Sequence, residues 1–132
     1  MPTEKVHNLS ALNGKRVLIV EDEAIIALTL ECEVADAGAT VVGPAFDLAG
    51  ALRLAAQPLD AAVLDVNLKG EKIFAAARVL RDRGVPFVFA SANCDEIDSH
   101  GGEFASYPRL EKPIAMASLL EALGKMVRKF KR

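Results

Sequence analysis

The sequence predicts an α/β fold built on a parallel β-sheet with helices on both faces. Short apolar runs alternate five times with segments of helical periodicity, which is the pattern of repeated βα units. The apolar runs are nearly continuous, as expected for strands that helices cover on both sides. A chain of 132 residues is long enough for one such domain and too short for two ordinary ones.

The first βα unit joins a predicted strand at residues 16–20 to a predicted helix at residues 23–37. Gly38 ends this helix, because glycine adopts the conformation of a helix C-terminus without strain. The apolar stripe of the helix is predicted to consist of Ile25, Leu28, Cys32 and Ala35.

The second unit is shorter. Its strand is predicted at residues 40–43 and is ended by Pro44, which has no backbone N–H to donate. Asp47 then caps a helix that extends to about Gln57, and Pro58 ends that helix.

The last three units continue the alternation. Their strands are predicted at residues 60–66, 86–91 and 108–111, and two of their helices at residues 71–83 and 114–130. The remaining helix, the fourth, falls at residues 93–107, where Gly101 and Gly102 and scattered acids predict a short or irregular helix. Residues 1–14 show no clear period and are predicted to be an N-terminal extension, flexible or partly helical, before a single domain at residues 15–132.

Composition narrows the class of protein. A hydrophobic content of 52% is typical of a globular domain and argues against a disordered chain. Cys32 and Cys94 are too few for a disulfide framework and are expected to be free thiols in a reducing compartment. No apolar run is as long as a membrane span and no signal peptide is visible, so we expect a cytoplasmic protein.

Charge is distributed unevenly along the chain. The net charge is -2, but the last eight residues carry five positive charges and no acid, so the rest carries -7. These five are Lys125, Arg128, Lys129, Lys131 and Arg132. Cations are favoured at a helix C-terminus, so the tail is interpreted as the solvated end of the last helix. Nucleic-acid or membrane binding is the alternative. The patch is short for such a role and holds one aromatic residue.

Polar residues with related chemistry fall at the ends of the predicted strands, where open parallel sheets bind their ligands. The first strand ends in Glu21 and Asp22, the third in Asp65, the fourth in Ser91 and the fifth in Lys112. Taken singly, such an acid is a common helix cap, such a serine a turn residue and a Lys-Pro pair a strand stop. Together, in this order, they predict a site at one edge of the sheet.

The predicted site has the chemistry of metal-assisted phosphoryl transfer. Three close carboxylates repel one another, and a divalent cation offsets their charge; oxygen ligands of this kind suit Mg²⁺. A lysine and a hydroxyl can each contact a phosphoryl oxygen. A carboxylate beside Mg²⁺ and a lysine can then act as nucleophile and form an aspartyl phosphate.

The motifs "VLIVEDE", "AAVLDVNLKGE", "FVFASAN" and "LEKP" carry a family resemblance across about residues 15–130. The sequence resembles the receiver domain of bacterial two-component response regulators, of the stand-alone, single-domain type. That resemblance implies a flavodoxin-like (βα)5 fold, a doubly wound parallel sheet of five strands in the order 2-1-3-4-5.

The resemblance implies a role for each of these site residues, according to its position in the motifs. Asp65 is the phosphoacceptor and also a metal ligand. Asp22 binds Mg²⁺ directly, and Glu21 contributes through the metal or its water. Asn67 offers its backbone carbonyl to the metal. Lys112 contacts the phosphoryl group, and the peptide bond before Pro113 is expected to be cis.

The resemblance is imperfect around the switch. Ser91 takes the position of the switch hydroxyl, but a related subgroup of stand-alone receivers reads Pro-Phe-x-Phe-Ala-Thr-Gly-Tyr in the fourth strand, where this chain has Ser91, Ala92 and Asn93. Asn93 stands where the rate of hydrolysis could be tuned. Arg109 occupies the usual aromatic switch position, with Tyr107 and Phe104 nearby but out of register. The segment 93–107 is therefore the expected moving part.

The resemblance implies a partner on each side of a two-component or phosphorelay pathway. A histidine kinase or histidine phosphotransfer protein donates the phosphoryl group to Asp65, and a downstream protein responds to the altered surface. The expected protein is a switch with self-catalysed transfer and slow autodephosphorylation, not a metabolic enzyme. We expect no DNA-binding output domain, no membrane association, and a monomer or weak homodimer.

Two alternatives belong to other functional classes. One is an Mg²⁺-dependent phosphatase-like enzyme that turns over an aspartyl phosphate; such enzymes typically carry an acid two residues after the nucleophile, where this chain has Asn67. The other is a non-phosphorylated pseudo-receiver that acts as a binding module. The presence of all the active-site residue types argues against this alternative.

Overall fold

A parallel β-sheet forms the centre of the computed structural model, which describes residues 11–99 and 101–129. Its strands are β1 (Arg16–Val20), β2 (Thr40–Ala45), β3 (Ala61–Asp65), β4 (Phe87–Ser91) and β5 (Arg109–Glu111). They lie in the order β2-β1-β3-β4-β5, and each neighbouring pair is parallel. The predicted fold class and strand order are confirmed.

Helices cover both faces of the sheet. They are α1 (Ala24–Asp36), α2 (Leu48–Leu54), α3 (Phe74–Asp82), α4 (Asp95–Asp98) and α5 (Met116–Lys129). Because successive side chains of a strand point to opposite faces, the core divides into two layers. Val17 and Ile19 of β1 pack in the layer of α1 and α5, whereas Leu18 and Val20 pack in the layer of α2 and α3.

Helix α1 buries a different face from the one predicted. Its buried residues are Ala27, Leu30 and Val34, whereas Ile25 is 82% exposed and Leu28 is 58% exposed. Cys32 and Ala35, the other members of the predicted stripe, are also exposed. Most residues of this helix are apolar, so its own periodicity does not select a face; contact with the sheet and α5 does.

Strand β2 extends past its predicted end. It runs through Pro44 to Ala45, and the Gly43–Pro44 peptide is cis. The pairing register with β1 shifts between Leu18 and Val20, opposite this proline. β2 lies at the edge of the sheet, where a residue without an N–H is tolerated. Asp47 caps α2 as predicted, its carboxylate accepting a bond from the Gly50 N–H at 2.8 Å.

A short antiparallel ribbon replaces the predicted start of the third helix. Asn67–Leu68 pairs with Glu71–Lys72, and α3 begins only at Phe74. The two-residue turn between them is formed by Lys69 and Gly70, with φ of 52° and 93°. Positive φ at both positions is the geometry of a type I′ hairpin, which lysine rarely adopts.

The fourth helix is short, as predicted, and residues 101–107 form turns and a bend. The segment is anchored by its aromatic residues. Phe104 is fully buried, with its ring centroid 5.6 Å from that of Phe74 and 5.5 Å from that of Phe89. Tyr107 stacks on Phe87 with centroids 4.7 Å apart. Irregular backbone here is therefore compatible with a dense core.

Both ends of the domain are partly described. Leu12 is helical and 1% exposed, and it packs against the layer of α1 and α5. Residues 1–10 of the predicted N-terminal extension and residues 130–132 of the basic tail lie outside the described residues. On α5, Lys125 pairs with Glu121 one turn earlier at 3.6 Å. Within the described ranges, no helix is long and apolar enough to cross a bilayer.

Candidate functional site

Three carboxylates meet at the carboxyl edge of the sheet. Glu21 and Asp22 directly follow β1, and Asp65 is the last residue of the neighbouring strand β3. The two strands are parallel with Val20 opposite Leu64, which brings their ends to the same level. One carboxylate oxygen from each acid lies within 4.8 Å of the others.

Lys112 follows β5 and reaches into the carboxylate cluster. Its ammonium nitrogen lies 2.9 Å from Glu21 Oε1 and 3.2 Å from Asp65 Oδ2. The Lys112 backbone N–H donates to the carbonyl of Ser91 at 3.0 Å, which fixes the end of β5 beside the end of β4. The peptide bond between Lys112 and Pro113 is cis, as the resemblance implies.

The cluster holds more negative charge than Lys112 offsets. Burial and the charge of Glu21 raise the pKa of Asp65 from 3.8 to about 7, against the lowering effect of Lys112. Burial alone would lower the pKa of Lys112, but its bond with Glu21 and the charge of Asp65 raise it above its ordinary value. Two buried oxygens, Glu21 Oε1 and Asp65 Oδ2, have no hydrogen bond of good geometry within the described chain.

This donor set fits a small hard cation. The three carboxylates offer hard oxygen ligands and carry an excess of negative charge, and Mg²⁺ binds in such surroundings. Asn67 lies beside them, and its backbone N–H donates to Asp65 Oδ1 at 3.3 Å. The ribbon that begins at Asn67 thus holds this residue against the nucleophile candidate.

Ser91 ends β4, the strand beside β3, and lines the same site. It is 2% exposed, and the Asn93 N–H donates to its hydroxyl oxygen at 3.0 Å. The hydroxyl donates in turn to the carbonyl of Asn93 at 2.9 Å or to Glu96 Oε2 at 3.1 Å. The other Glu96 oxygen forms an ion pair with Lys72 of the ribbon. Neither Glu96 nor Lys72 was predicted as a site residue.

These groups line one open cleft of about 630 Å³. Its lining consists of Asp22, Glu23, Asp65, Asn67, Ser91, Ala92, Asn93, Glu96 and Lys112. Glu21 lies beneath it, 1% exposed and paired with Lys112. The structure therefore brings together every predicted acid, amide, hydroxyl and amine.

Two predicted residues lie outside the cleft lining, Arg109 and Pro113. Arg109 pairs with Asp98 of α4 at 2.7 Å and donates to the carbonyl of Ala105 at 2.7 Å. The Arg109 guanidinium thus connects α4 to the turns before β5. It is held in place by these contacts, unlike a mobile aromatic ring at the same position.

Comparison with known proteins identifies the family. No family model matches the sequence, and no curated protein matches it. Among solved structures, SdrG from Sphingomonas melonis Fr1 is 42% identical, with a TM-score of 0.72 over 89% of this chain and 98% of that chain. A response regulator receiver protein from Sinorhizobium medicae WSM419 is 27% identical, with a TM-score of 0.78 over 89% of this chain and 98% of that chain. The chain belongs to the response regulator receiver domain family.

A further receiver domain bears on the acidic cluster. It comes from a sensor histidine kinase of Pseudomonas aeruginosa PAO1, is 27% identical and has a TM-score of 0.75 over 87% of this chain and 98% of that chain. Its structure has a magnesium ion coordinated in the active site cleft. Receiver domains are signalling switches rather than classical enzymes, and the acidic cluster of this receiver, Glu21, Asp22 and Asp65, could hold a metal.

Proposed function

We propose that this receiver takes a phosphoryl group onto Asp65 from a phosphohistidine, in an Mg²⁺-dependent reaction, and changes its protein contacts in response. The observation that carries the proposal is the position of Asp65. It is 4% exposed and lines an open cleft, close to Glu21 and Asp22 and 3.2 Å from the Lys112 ammonium. A nucleophile, a cationic contact for a phosphoryl oxygen and a set of metal ligands are thereby in one place.

The transfer step follows from these contacts. A carboxylate oxygen of Asp65 attacks phosphorus, the new O–P bond forms, and the P–N bond to the donor imidazole breaks with its electron pair going to nitrogen. Lys112 stabilises charge on the phosphoryl oxygens. Glu21, Asp22, Asp65 and the backbone carbonyl of Asn67 would hold Mg²⁺, which would supply positive charge to offset that of the phosphoryl oxygens.

The signal follows from the charge that is added. A phosphoryl group adds about 1.5 to 2 negative charges at neutral pH, and Ser91 and Lys112 are the donors that face it across the cleft. Ser91 begins the segment that contains α4, and Lys112 follows β5 directly. Movement of either donor therefore changes the α4–β5 surface, which we propose is the surface that a downstream protein contacts.

The donor is proposed to be a histidine kinase or a histidine phosphotransfer protein in the cytoplasm. We further propose that the receiver acts as a monomer or weak homodimer. Asn67 and Asn93 both line the cleft, so an attacking water meets amides and not a second catalytic acid at these positions. This arrangement favours slow autodephosphorylation over the rapid turnover of a phosphatase.

The test is labelling of Asp65 with acetyl phosphate and Mg²⁺, read as a shifted band on a phosphate-affinity gel. Wild type is expected to shift, and Asp65→Asn and EDTA-treated wild type are expected not to. Asp47→Asn is the matched control, because asparagine also caps α2 and the cap lies outside the cleft lining. Equal labelling of Asp65→Asn would refute the assignment, and continuous phosphate release from a small phosphate ester would favour the phosphatase alternative.

A further inference from the structure

Glu96 connects the end of β4 to the ribbon. Its Oε2 accepts a bond from the Ser91 hydroxyl at 3.1 Å, while its Oε1 pairs with Lys72. Lys72 lies opposite Asn67 in the ribbon, and Asn67 contacts Asp65. A continuous set of contacts therefore runs from the proposed phosphoacceptor to the proposed switch hydroxyl by way of Glu96.

The Ser91 hydroxyl already has its hydrogen-bond partners. It has a single proton to donate, and the Asn93 carbonyl and the Glu96 carboxylate are both within reach. The carboxylate is the stronger acceptor of the two, because a charge-assisted bond is about twice as strong as a neutral one. Ser91 must give up these acceptors before it donates to a group on Asp65.

A phosphoryl group would also act on Glu96 through charge. Glu96 lines the same cleft as Asp65, and its side chain is 25% exposed, so solvent screens it only partly. Lys72 offsets its charge from the outer side, where the lysine side chain is 47% exposed. Negative charge on Asp65 therefore repels the Glu96 carboxylate and attracts the hydroxyl that this carboxylate holds.

The backbone around Glu96 is anchored. Ile97, the next residue, is fully buried in the core, and Asp98 pairs with Arg109 at 2.7 Å. Rotation of the Glu96 or Ser91 side chain is then enough to free the hydroxyl without movement of the backbone.

We propose that Glu96 is a positioning residue that holds the Ser91 hydroxyl proton in the unmodified receiver and releases it when Asp65 carries a phosphoryl group. This inference rests on the proposed function of Asp65. Glu96 thereby determines how much of the binding free energy of the phosphoryl group is needed to free the switch hydroxyl.

The test uses beryllofluoride with Mg²⁺ as a stable analogue of the phosphoryl group, titrated into ¹⁵N-labelled receiver. The amide signals of Ser91 and Asn93 report the switch. Glu96→Ala is expected to lower the beryllofluoride concentration at half-response about three- to tenfold, the range of one net hydrogen bond. Glu96→Gln keeps an acceptor oxygen and is expected to fall between wild type and Glu96→Ala. Equal half-response in wild type and Glu96→Ala would overturn the proposal.

Two controls separate release of the hydroxyl from general loosening. Asp95→Asn removes a negative charge from an exposed residue of the same short helix and leaves the Asp98–Arg109 ion pair in place, so its half-response is expected to match wild type. In a Ser91→Ala background, Glu96→Ala is expected to have a smaller effect, since the hydroxyl is gone and only the repulsion between the Glu96 carboxylate and the beryllofluoride remains. An equal gain in Asp95→Asn, or a full Glu96→Ala effect without Ser91, would refute the positioning role.

Labelling on the phosphate-affinity gel distinguishes failure of the inference from failure of the proposed function. A wild-type receiver that is not labelled at Asp65 refutes both. A wild-type receiver that is labelled and responds to beryllofluoride, while Glu96→Ala responds identically, refutes the role of Glu96 alone.

Discussion

Replacement of Asp65 by asparagine is expected to stabilise the metal-free receiver. The ionised carboxylate is buried beside Glu21 and Asp22, and the Lys112 ammonium cannot offset all three charges. Asparagine has nearly the same shape, keeps an oxygen for the N–H of Asn67 and leaves Lys112 paired with Glu21. The variant thus removes a buried charge with little change in packing.

The size of the effect follows from the pKa of Asp65, which is raised from 3.8 to about 7. Between these values the folded state binds the proton and the unfolded state does not, so wild type loses stability as the pH rises through this window. At about 1.4 kcal/mol per pKa unit, the full shift corresponds to an upper limit of about 4 kcal/mol. Loss of the Lys112 contact offsets part of it, and we expect Asp65→Asn to be more stable than wild type by about 1–3 kcal/mol at pH 8.

Urea denaturation with EDTA, at intervals between pH 4 and pH 8, measures this difference. The advantage of Asp65→Asn is expected to grow up to about pH 7 and then to level off. Asp36→Asn, at the exposed end of α1, is the control for an acid-to-amide change on the surface and is expected to be as stable as wild type within about 0.5 kcal/mol. An advantage that does not change with pH, or a less stable Asp65→Asn at pH 8, would show that burial and Glu21 do not disfavour the charged form. Addition of Mg²⁺ should then stabilise wild type more than the variant.

Three further predictions concern other parts of the domain. Phe104→Ala should lower the free energy of unfolding by about 3–5 kcal/mol in urea denaturation, because it empties the centre of the aromatic cluster. Glu103→Gln should destabilise the protein at pH 7 and match wild type near pH 2: bonds from Arg78 and Arg81 lower the pKa of Glu103 from 4.5 to about 2, so the stability that it contributes is lost as the pH falls through that range. Lys112→Ala should still bind Mg²⁺ by calorimetry but lose the amide shifts that beryllofluoride causes at Ser91.

The strand-end residues could be predicted from sequence because topology alone brings them together. Parallel strands share one carboxyl edge, so Glu21, Asp22, Asp65 and Lys112 need no knowledge of side-chain packing to be placed in one site. Their placement depends only on where each strand ends. An error of one or two residues in a predicted strand end still places these residues at the same edge of the sheet.

Features that depend on packing could not be predicted in this way. The buried face of α1 is set by its neighbours, because apolar residues surround most of the helix and Ile25 remains 82% exposed. The ribbon depends on Lys69 adopting a positive φ of 52°, for which lysine gives no signal. The contact of Glu96 with Ser91 arises in an irregular segment, where sequence spacing does not fix the direction of a side chain.

The same segment contains the residues around the usual aromatic switch position. A ring that changes position needs space, but Tyr107 is stacked on Phe87 at 4.7 Å and Phe104 is fully buried. Arg109, in the aromatic position, is bound to the Ala105 carbonyl and to Asp98 at 2.7 Å each. Because α4 carries both Glu96, which lines the cleft, and Asp98, which pairs with Arg109 of β5, we propose that this four-residue helix connects the cleft to the β5 edge without any ring having to move.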